Sequence, residues 1–158
     1  MQFGGRYLFS APRAAVWSAL NDTGKLREAI PGCRRLDWTG PGELEMELEV
    51  NLALARPVFS ADLSLSEIVP AERYTLSGRG RGVLGKAEGA ARIVLTDAGE
   101  QTELAFTAVG GADNSIMKLG KTLIGRSAQR IIDHFFARFG DTFGAAVTPL
   151  ETDSDKDG

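Results

Sequence analysis

The segment IMKLGKTLIGRSAQRIIDHFFARF, residues 116–139, predicts one long amphipathic helix near the C-terminus. On a helical wheel its polar residues, Asp133 among them, lie opposite one broad apolar face. That face is formed by Met117, Ile124, Ala128, Ile131, Ile132, Phe135 and Phe139. A helix of this kind requires a large apolar surface to cover, and the rest of the sequence must supply it.

Two glycines interrupt this helix. A glycine inside a helix costs about 1 kcal/mol relative to alanine, so Gly120 and Gly125 must serve another purpose. One explanation is that a strand packs closely against Gly120. The other is that the edge formed by Gly120, Leu123 and Ser127 lines a cavity, and the sequence leaves both open.

The surface to be covered is predicted by period-two alternation between residue 33 and about residue 109. It is clearest in ELEMELEVNL, residues 43–52, where Leu44, Met46 and Leu48 alternate with glutamates, as in a half-buried antiparallel strand. Turn signals at 39–43, 69–73, 78–85 and 97–100 separate such segments. We therefore predict six successive strands joined by hairpins.

The N-terminal part precedes this meander with one strand and two short helices. Residues 2–9 alternate as a strand, Ser10 and Pro12 favour the start of a first helix, and Asp22 is suited to cap a second. The complete order predicts an α+β fold in which a curved, seven-stranded antiparallel sheet wraps around the long C-terminal helix. We expect one domain over residues 1–145 and a disordered acidic tail over 146–158.

Composition excludes several classes of function. The 158-residue chain has a formal net charge of −3, which does not favour nucleic-acid binding. A single cysteine, Cys33, excludes an intramolecular disulfide and suits the cytoplasm. The sequence predicts no signal peptide, and no apolar run reaches the length of a membrane span.

Several segments together resemble the family of the carbon monoxide dehydrogenase G subunit, within the START and Bet v 1-like (helix-grip) superfamily. They are APRAAVWSALND, AIPGC, ERYTLSGRGRG, GKAEGAARIVLT and IIDHFFARF. The resemblance implies a non-catalytic accessory protein of a molybdenum hydroxylase, linked to membrane recruitment or quinone traffic. Some relatives continue into a segment suited to membrane attachment, whereas this chain ends in an acidic tail.

The resemblance also implies a cavity for an apolar ligand, such as a quinone or lipid, between sheet and helix. Small residues on one face of the sixth strand, Ala87, Gly89 and Ala91, agree with such a cavity. We predict ligand contacts from both walls. The candidates are Leu48, Val50, Phe59, Leu63, Leu76, Ala91, Ile93, Phe106, Gly120, Leu123, Ser127 and Ile131.

No motif predicts catalysis, a metal or a cofactor. The GxGxxG spacing of residues 80–85 precedes a strand rather than the helix that a dinucleotide site needs, so we interpret it as a hairpin. His134 is the only histidine and has no evident partner for base catalysis, and Cys33 is interpreted as a partly buried structural residue. A ligand-free adaptor for the hydroxylase and a helix-grip enzyme remain alternatives. Trp38, if exposed, would suit contact with a partner or a membrane surface.

Overall fold

The computed structural model describes residues 2–51, 54–83, 85–112 and 121–150, with 112 and 121–129 described by their backbone. The helices are α1 (Arg13–Leu20), α2 (Thr23–Ala29) and α3 (Lys121–Asp141). The strands are β1 (Gln2–Phe9), β2 (Cys33–Gly40), β3 (Glu43–Glu49), β4 (Val58–Val69), β5 (Arg73–Gly82), β6 (Gly85–Ala98), β7 (Gln101–Ala112) and β8 (Val147–Leu150).

The strands form one antiparallel sheet in the order β2-β3-β4-β5-β6-β7-β1-β8. Strands β2 to β7 follow one another as a meander, as the alternation predicted. Strand β1 then pairs with β7, so the first strand lies beside the last strand of the meander. The predicted α+β, helix-grip architecture is confirmed.

The sheet has an inner face, which packs against α1 and α3, and an outer face exposed to solvent. Directly paired residues of antiparallel strands share a face, so each register row crosses the sheet on one side. One inner row runs from Leu65 through Leu76, Ala91 and Ala108 to Phe3. All five are half-buried, and all except Ala91 pack against the hydrophobic core.

That core lies at one end of the inner face, which we call the packed end. It is formed by Tyr7, Phe9, Tyr74, Ile93, Leu95, Leu104 and Phe106 of the sheet together with Val16, Phe136 and Phe139 of the helices. Phe136 stacks on Tyr7 with 4.3 Å between ring centroids, and Phe139 meets Phe9 edge-on at 5.9 Å. The C-terminal half of α3 is therefore held to the sheet by aromatic contacts.

Strand β8 was not predicted. The expectation of a disordered segment from residue 146 is wrong for Val147–Leu150, which pair with β1. Without β8, β1 would form an open sheet edge, and the residues of this short strand lacked the length and apolar content that predict a strand. Residues 151–158 of the predicted tail lie outside the described residues.

The start of α1 also differs from the prediction. Pro12 occupies the N-cap position and no side chain caps the helix. Ser10 serves β8 instead, because its hydroxyl accepts a hydrogen bond from the amide of Ala146 at 2.7 Å and its own amide donates to the Ala146 carbonyl. The predicted cap of α2 is confirmed, since the Asp22 carboxylate accepts from the amide of Lys25.

None of the helices in the described part of the chain combines the length and hydropathy that crossing a bilayer requires.

A glycine-to-alanine pair tests how α3 joins β8. A methyl group at the buried Gly140 would collide with Val147 Cγ2 and approach the Ala145 carbonyl oxygen to 2.7 Å. Although alanine is the better helix former, we expect Gly140→Ala to lower the free energy of unfolding by about 1–3 kcal/mol, as overpacking does. Urea unfolding measures it.

Gly111→Ala is the matched control, because no described atom lies within 4 Å of a Cβ there. Equal stability of the two variants would show that β8 does not pack against α3 as described.

Candidate functional site

Beyond the packed end, the inner face changes character. At the packed end the large side chains are buried, with Phe106 only 5% exposed. Further along β3 to β6 three large apolar side chains, Leu48, Phe59 and Leu63, are only half-buried. Leu44, which pairs with Leu63, is buried. Partial exposure of large apolar side chains is expected where an apolar face of the protein borders a cavity rather than a close-packed core.

On the inner face, the strands at the centre of this region carry almost no side chains. We call this part of the inner face the glycine-rich end. It comprises Leu48 of β3, Phe59, Ala61 and Leu63 of β4, Gly78, Gly80 and Gly82 of β5, and Gly85, Ala87 and Gly89 of β6. Register brings the small residues side by side, since Gly78 pairs with Gly89 and Gly80 with Ala87. The floor of this end is therefore backbone, flanked by the larger side chains of β3 and β4.

The glycines of the floor are not equivalent. A Cβ at Gly78 would come within 2.8 Å of Leu63 Cδ2, and one at Gly89 within 3.0 Å of the Val109 carbonyl oxygen. At Gly80 the nearest described atom would be 3.7 Å away, which is ordinary contact distance. Packing against the described residues therefore does not explain the missing side chain at Gly80, which agrees with space above the floor.

The predicted ligand contacts divide into three groups. Leu48, Phe59, Leu63, Leu76 and Ala91 share the inner face and are half-buried at or beside the glycine-rich end. Ile93 and Phe106 belong to the core of the packed end, while Val50 and Ile131 are half-buried in the chain after β3 and in α3. Gly120 and the side chains of Leu123 and Ser127 lie outside what is described. A ligand contact at any of them stays a prediction.

The floor extends further along β5 than the sequence pattern predicted. The stretch GRGRGVLG was interpreted as a hairpin, and β5 and β6 do form one, in which β5 continues to Gly82 and pairs there with Gly85. Gly85 has the expected positive φ of 126°. The period-two spacing of Gly78, Gly80 and Gly82 could have shown that they share one strand face. The element that follows this stretch is strand β6, as predicted, whereas a dinucleotide fingerprint requires a helix at that place.

Polar groups reach the inner face mainly at the packed end. The Tyr7 hydroxyl donates to Asp133 Oδ1 at 3.0 Å. Asp133 is exposed, as the helical wheel predicted, and its carboxylate reaches Tyr7 from the border of the apolar face. Burial raises the pKa of Tyr7, and the bond to Asp133 acts in the same direction. Burial likewise raises the pKa of Tyr74, which packs edge-on against Trp17. Both tyrosines are therefore neutral at physiological pH.

The residues considered for catalysis are not assembled. His134 is exposed on α3, and Cys33, half-buried at the start of β2, has a pKa raised chiefly by burial, which disfavours the nucleophilic thiolate. Within the described ranges, no three His, Cys, Asp or Glu side chains group as metal ligands. Trp38 is 41% exposed, on strand β2 rather than on a loop.

The outer face offers a different environment. An open groove of about 1430 Å³ runs across β4 to β7 and is lined by charged and small residues, including Asp62, Arg79, Arg81 and Glu88. Arg81 lies 3.4 Å from Asp62, and both side chains are exposed. This groove is open and bears charged side chains, whereas the side chains on the inner face are apolar, so we take the inner face as the candidate site.

The two buried tyrosines predict how stability depends on pH. Their folded-state pKa values lie above the ordinary 10.0. Their contribution to the free energy of unfolding is therefore complete below pH 10 and is lost as pH rises further. Each should lower the free energy of unfolding by up to about 1.4 kcal/mol per pH unit there. Tyr74→Phe should therefore reduce the loss of stability per pH unit above pH 10, by up to about 1.4 kcal/mol.

Urea unfolding between neutral and strongly alkaline pH measures the slope. An unchanged slope in Tyr74→Phe would contradict the burial of its hydroxyl.

Comparison with known proteins supports this architecture. A model of the carbon monoxide dehydrogenase G subunit (CoxG) family matches residues 5–142. A conserved protein from Geobacillus kaustophilus shares the fold with a TM-score of 0.82 and 23% identity, over 92% of this chain and 99% of that chain. Comparison with the curated proteins found no match.

Two further solved structures share the fold at low identity. A START superfamily protein from Mycobacterium smegmatis has a TM-score of 0.68 and 12% identity, covering 90% of this chain and 97% of its own. The Zhui aromatase/cyclase from Streptomyces sp. R1128 has a TM-score of 0.65 and 18% identity, covering 89% and 92%. The family match spans most of the sequence and the fold is START-like, so this chain belongs to the carbon monoxide dehydrogenase G subunit (CoxG) family.

Proposed function

We propose that the protein binds an apolar small molecule at the glycine-rich end, as an accessory to a molybdenum hydroxylase of the carbon monoxide dehydrogenase type. The observation that carries the proposal is the contrast within one sheet face. The packed end is filled by buried aromatic side chains, whereas the glycine-rich end presents half-buried apolar side chains around a backbone floor. Family membership and the START-like fold support a ligand-binding accessory role.

The shape of this end favours a ligand with a flat head and an apolar tail. On the inner face, three successive residue pairs of β5 and β6 carry nothing larger than a methyl group, so a planar ring can lie close to the strand backbone. Leu48, Phe59 and Leu63 rise beside that floor and are only half-buried. Burying their remaining apolar area gains about 25 cal/mol per Å². A quinone has both parts, and we propose it as the ligand class.

The chemistry of the walls favours binding without catalysis. Every described side chain on the inner face of β3 to β6 at the glycine-rich end is apolar, and the Tyr7–Asp133 pair lies at the packed end. General acid–base catalysis requires a titratable group within hydrogen-bond reach of the reacting atom. A carrier requires only shape and apolar area, and the accessory role of the family agrees with that.

We also propose a protein partner for this chain. The family is named for a subunit of carbon monoxide dehydrogenase, and we propose that this chain exchanges its ligand with an enzyme of that type. Co-purification of the tagged chain with a molybdenum hydroxylase of its host would support the association. If the enzyme associates while the interior binds no quinone or fatty acid, the ligand-free adaptor replaces the carrier.

A larger side chain on the inner face of β5 should weaken ligand binding. Gly80→Leu places a side chain into the space above β5, where a Cβ meets no described atom closer than 3.7 Å. We expect affinity for a quinone with a short alkyl tail to fall at least about tenfold, since the ligand must compete for the same volume. Thermal stability should be equal or higher, because strands disfavour glycine. Isothermal titration calorimetry and thermal unfolding measure the two effects.

Ser77→Leu is the matched control. It adds the same side chain to the same strand, but on the exposed outer face. Its affinity should equal that of the unmodified protein. Unchanged affinity in Gly80→Leu would place the ligand elsewhere.

A further inference from the structure

The two edges of the sheet differ in how well they are protected against pairing with another strand. Strand β8 forms one edge with only four residues, one of which is Pro149. Proline has no amide hydrogen to donate, so a further strand cannot continue the ladder there. Strand β2 forms the other edge with eight residues, none of them proline or lysine. Short length, proline and lysine commonly protect sheet edges, and β2 lacks all three.

The part of β2 that another strand could pair with is short. Among the described residues, β3 is the only strand that pairs with β2. The Cys33 amide donates to the Ile30 carbonyl at 3.1 Å, so the chain arriving from α2 occupies the start of β2. Register shifts before Arg35 and after Trp38 interrupt the regular pairing, and such bulges limit how far an edge can be extended. A strand added here must therefore pair with residues 35–38.

The side chains of this stretch alternate between the two faces of the sheet. Leu36 and Trp38 lie on the inner face, since they pair with inward side chains of β3. Leu36 is buried, whereas Trp38 is 41% exposed. Arg35 and Asp37 lie on the outer face, where 55% and 64% of their side chains are exposed. The stretch therefore presents one cation and one anion, two residues apart, at the sheet edge.

Antiparallel pairing of β2 with a second copy of itself has few possible registers. A two-fold axis perpendicular to the sheet keeps both inner faces on one side, so paired residues must share a face. An axis at Arg35 or at Asp37 would place that residue opposite its own copy, and like charges would meet. An axis at Trp38 would bring neither charge opposite its complement. With the axis at Leu36, Arg35 of each copy lies opposite Asp37 of the other, so charge selects this register.

We propose that two copies of this chain associate through their β2 edges, antiparallel and centred on Leu36, so that the two sheets become continuous. Two Arg35–Asp37 pairs flank the axis on the outer face, and each contributes across the strands as opposite charges do. On the inner face the edge strand of each copy covers part of the exposed Trp38 of the other. The inference is independent of the proposed function, because β2 lies outside the glycine-rich end.

A second copy fits this edge better than a different protein. In antiparallel pairing the order of residues is reversed, and the reverse of Arg35-Leu36-Asp37 has the complementary charge at every charged position. The sequence of β2 is therefore its own partner. A stable protein interface buries about 800 Å² on each side, and a contact of a few strand residues buries less. We therefore expect a reversible dimer whose population rises with protein concentration.

The test is sedimentation velocity of the purified full-length chain over a wide range of concentrations. We expect the unmodified chain to show a monomer–dimer equilibrium. Asp37→Arg should lower the association constant at least about tenfold, because one substitution turns two symmetry-related Arg–Asp pairs into Arg–Arg pairs. Arg35→Asp should lower it by a similar factor, since it produces two Asp–Asp pairs.

Charge exchange between the two positions separates contact between copies from effects within one copy. The double variant, Arg35→Asp with Asp37→Arg, restores opposite charges across the axis and should dimerise like the unmodified chain. An equimolar mixture of the two single variants should also dimerise, because every charged pair across the axis then joins an arginine to an aspartate. A change confined to one copy would not be reversed by mixing.

Arg92→Asp is the matched control, because it reverses an exposed arginine on the outer face of the central strand β6 and should leave the dimer unchanged. All substituted side chains are exposed, so the variants should fold, which circular dichroism verifies. A monomer at every concentration would overturn the proposal. Equal dimerisation of both single variants and the unmodified chain, or no association in the mixture, would overturn it as well, because the interface would then lie elsewhere.

Discussion

The structure depends on the aromatic contact between α3 and one end of the sheet. Phe136 and Phe139 insert between Tyr7, Phe9 and Phe106, and these rings hold the helix against β1 and β7. Backbone pairing continues beyond them into rows of glycine and alanine, because a sheet must satisfy its hydrogen bonds whether or not side chains fill its face. Strong packing at one end thus allows the other end to stay unfilled.

Local pattern predicted most of the fold and less of the site. Alternation assigned Leu44, Met46 and Leu48 to one strand face, and the turn residues divided the meander, because both signals are contained in neighbouring residues. Strand β8 was missed, since its stability comes from the edge of β1, at the other end of the sequence. The alignment of Gly78 with Gly89 and Gly110 was missed for the same reason, because register joins distant segments.

The proposed carrier function rests on a division of one sheet face. In this proposal the glycine-rich floor gives an apolar ligand space beside the half-buried side chains of β3 and β4. The hydrogen-bonded pair of Tyr7 and Asp133 lies at the packed end, away from the glycine-rich floor. Membership of the CoxG family agrees with an accessory role for such a carrier.

The central claim is that an apolar space remains between the glycine-rich end of the sheet and the helix. Xenon binds in dry apolar cavities and is readily located by X-ray diffraction, so a crystal of the ligand-free protein under xenon pressure tests the claim directly. The account predicts xenon between Leu63, Leu76 and Gly80 on the inner face. An inner face without xenon, with side chains packed against Gly80, would contradict it.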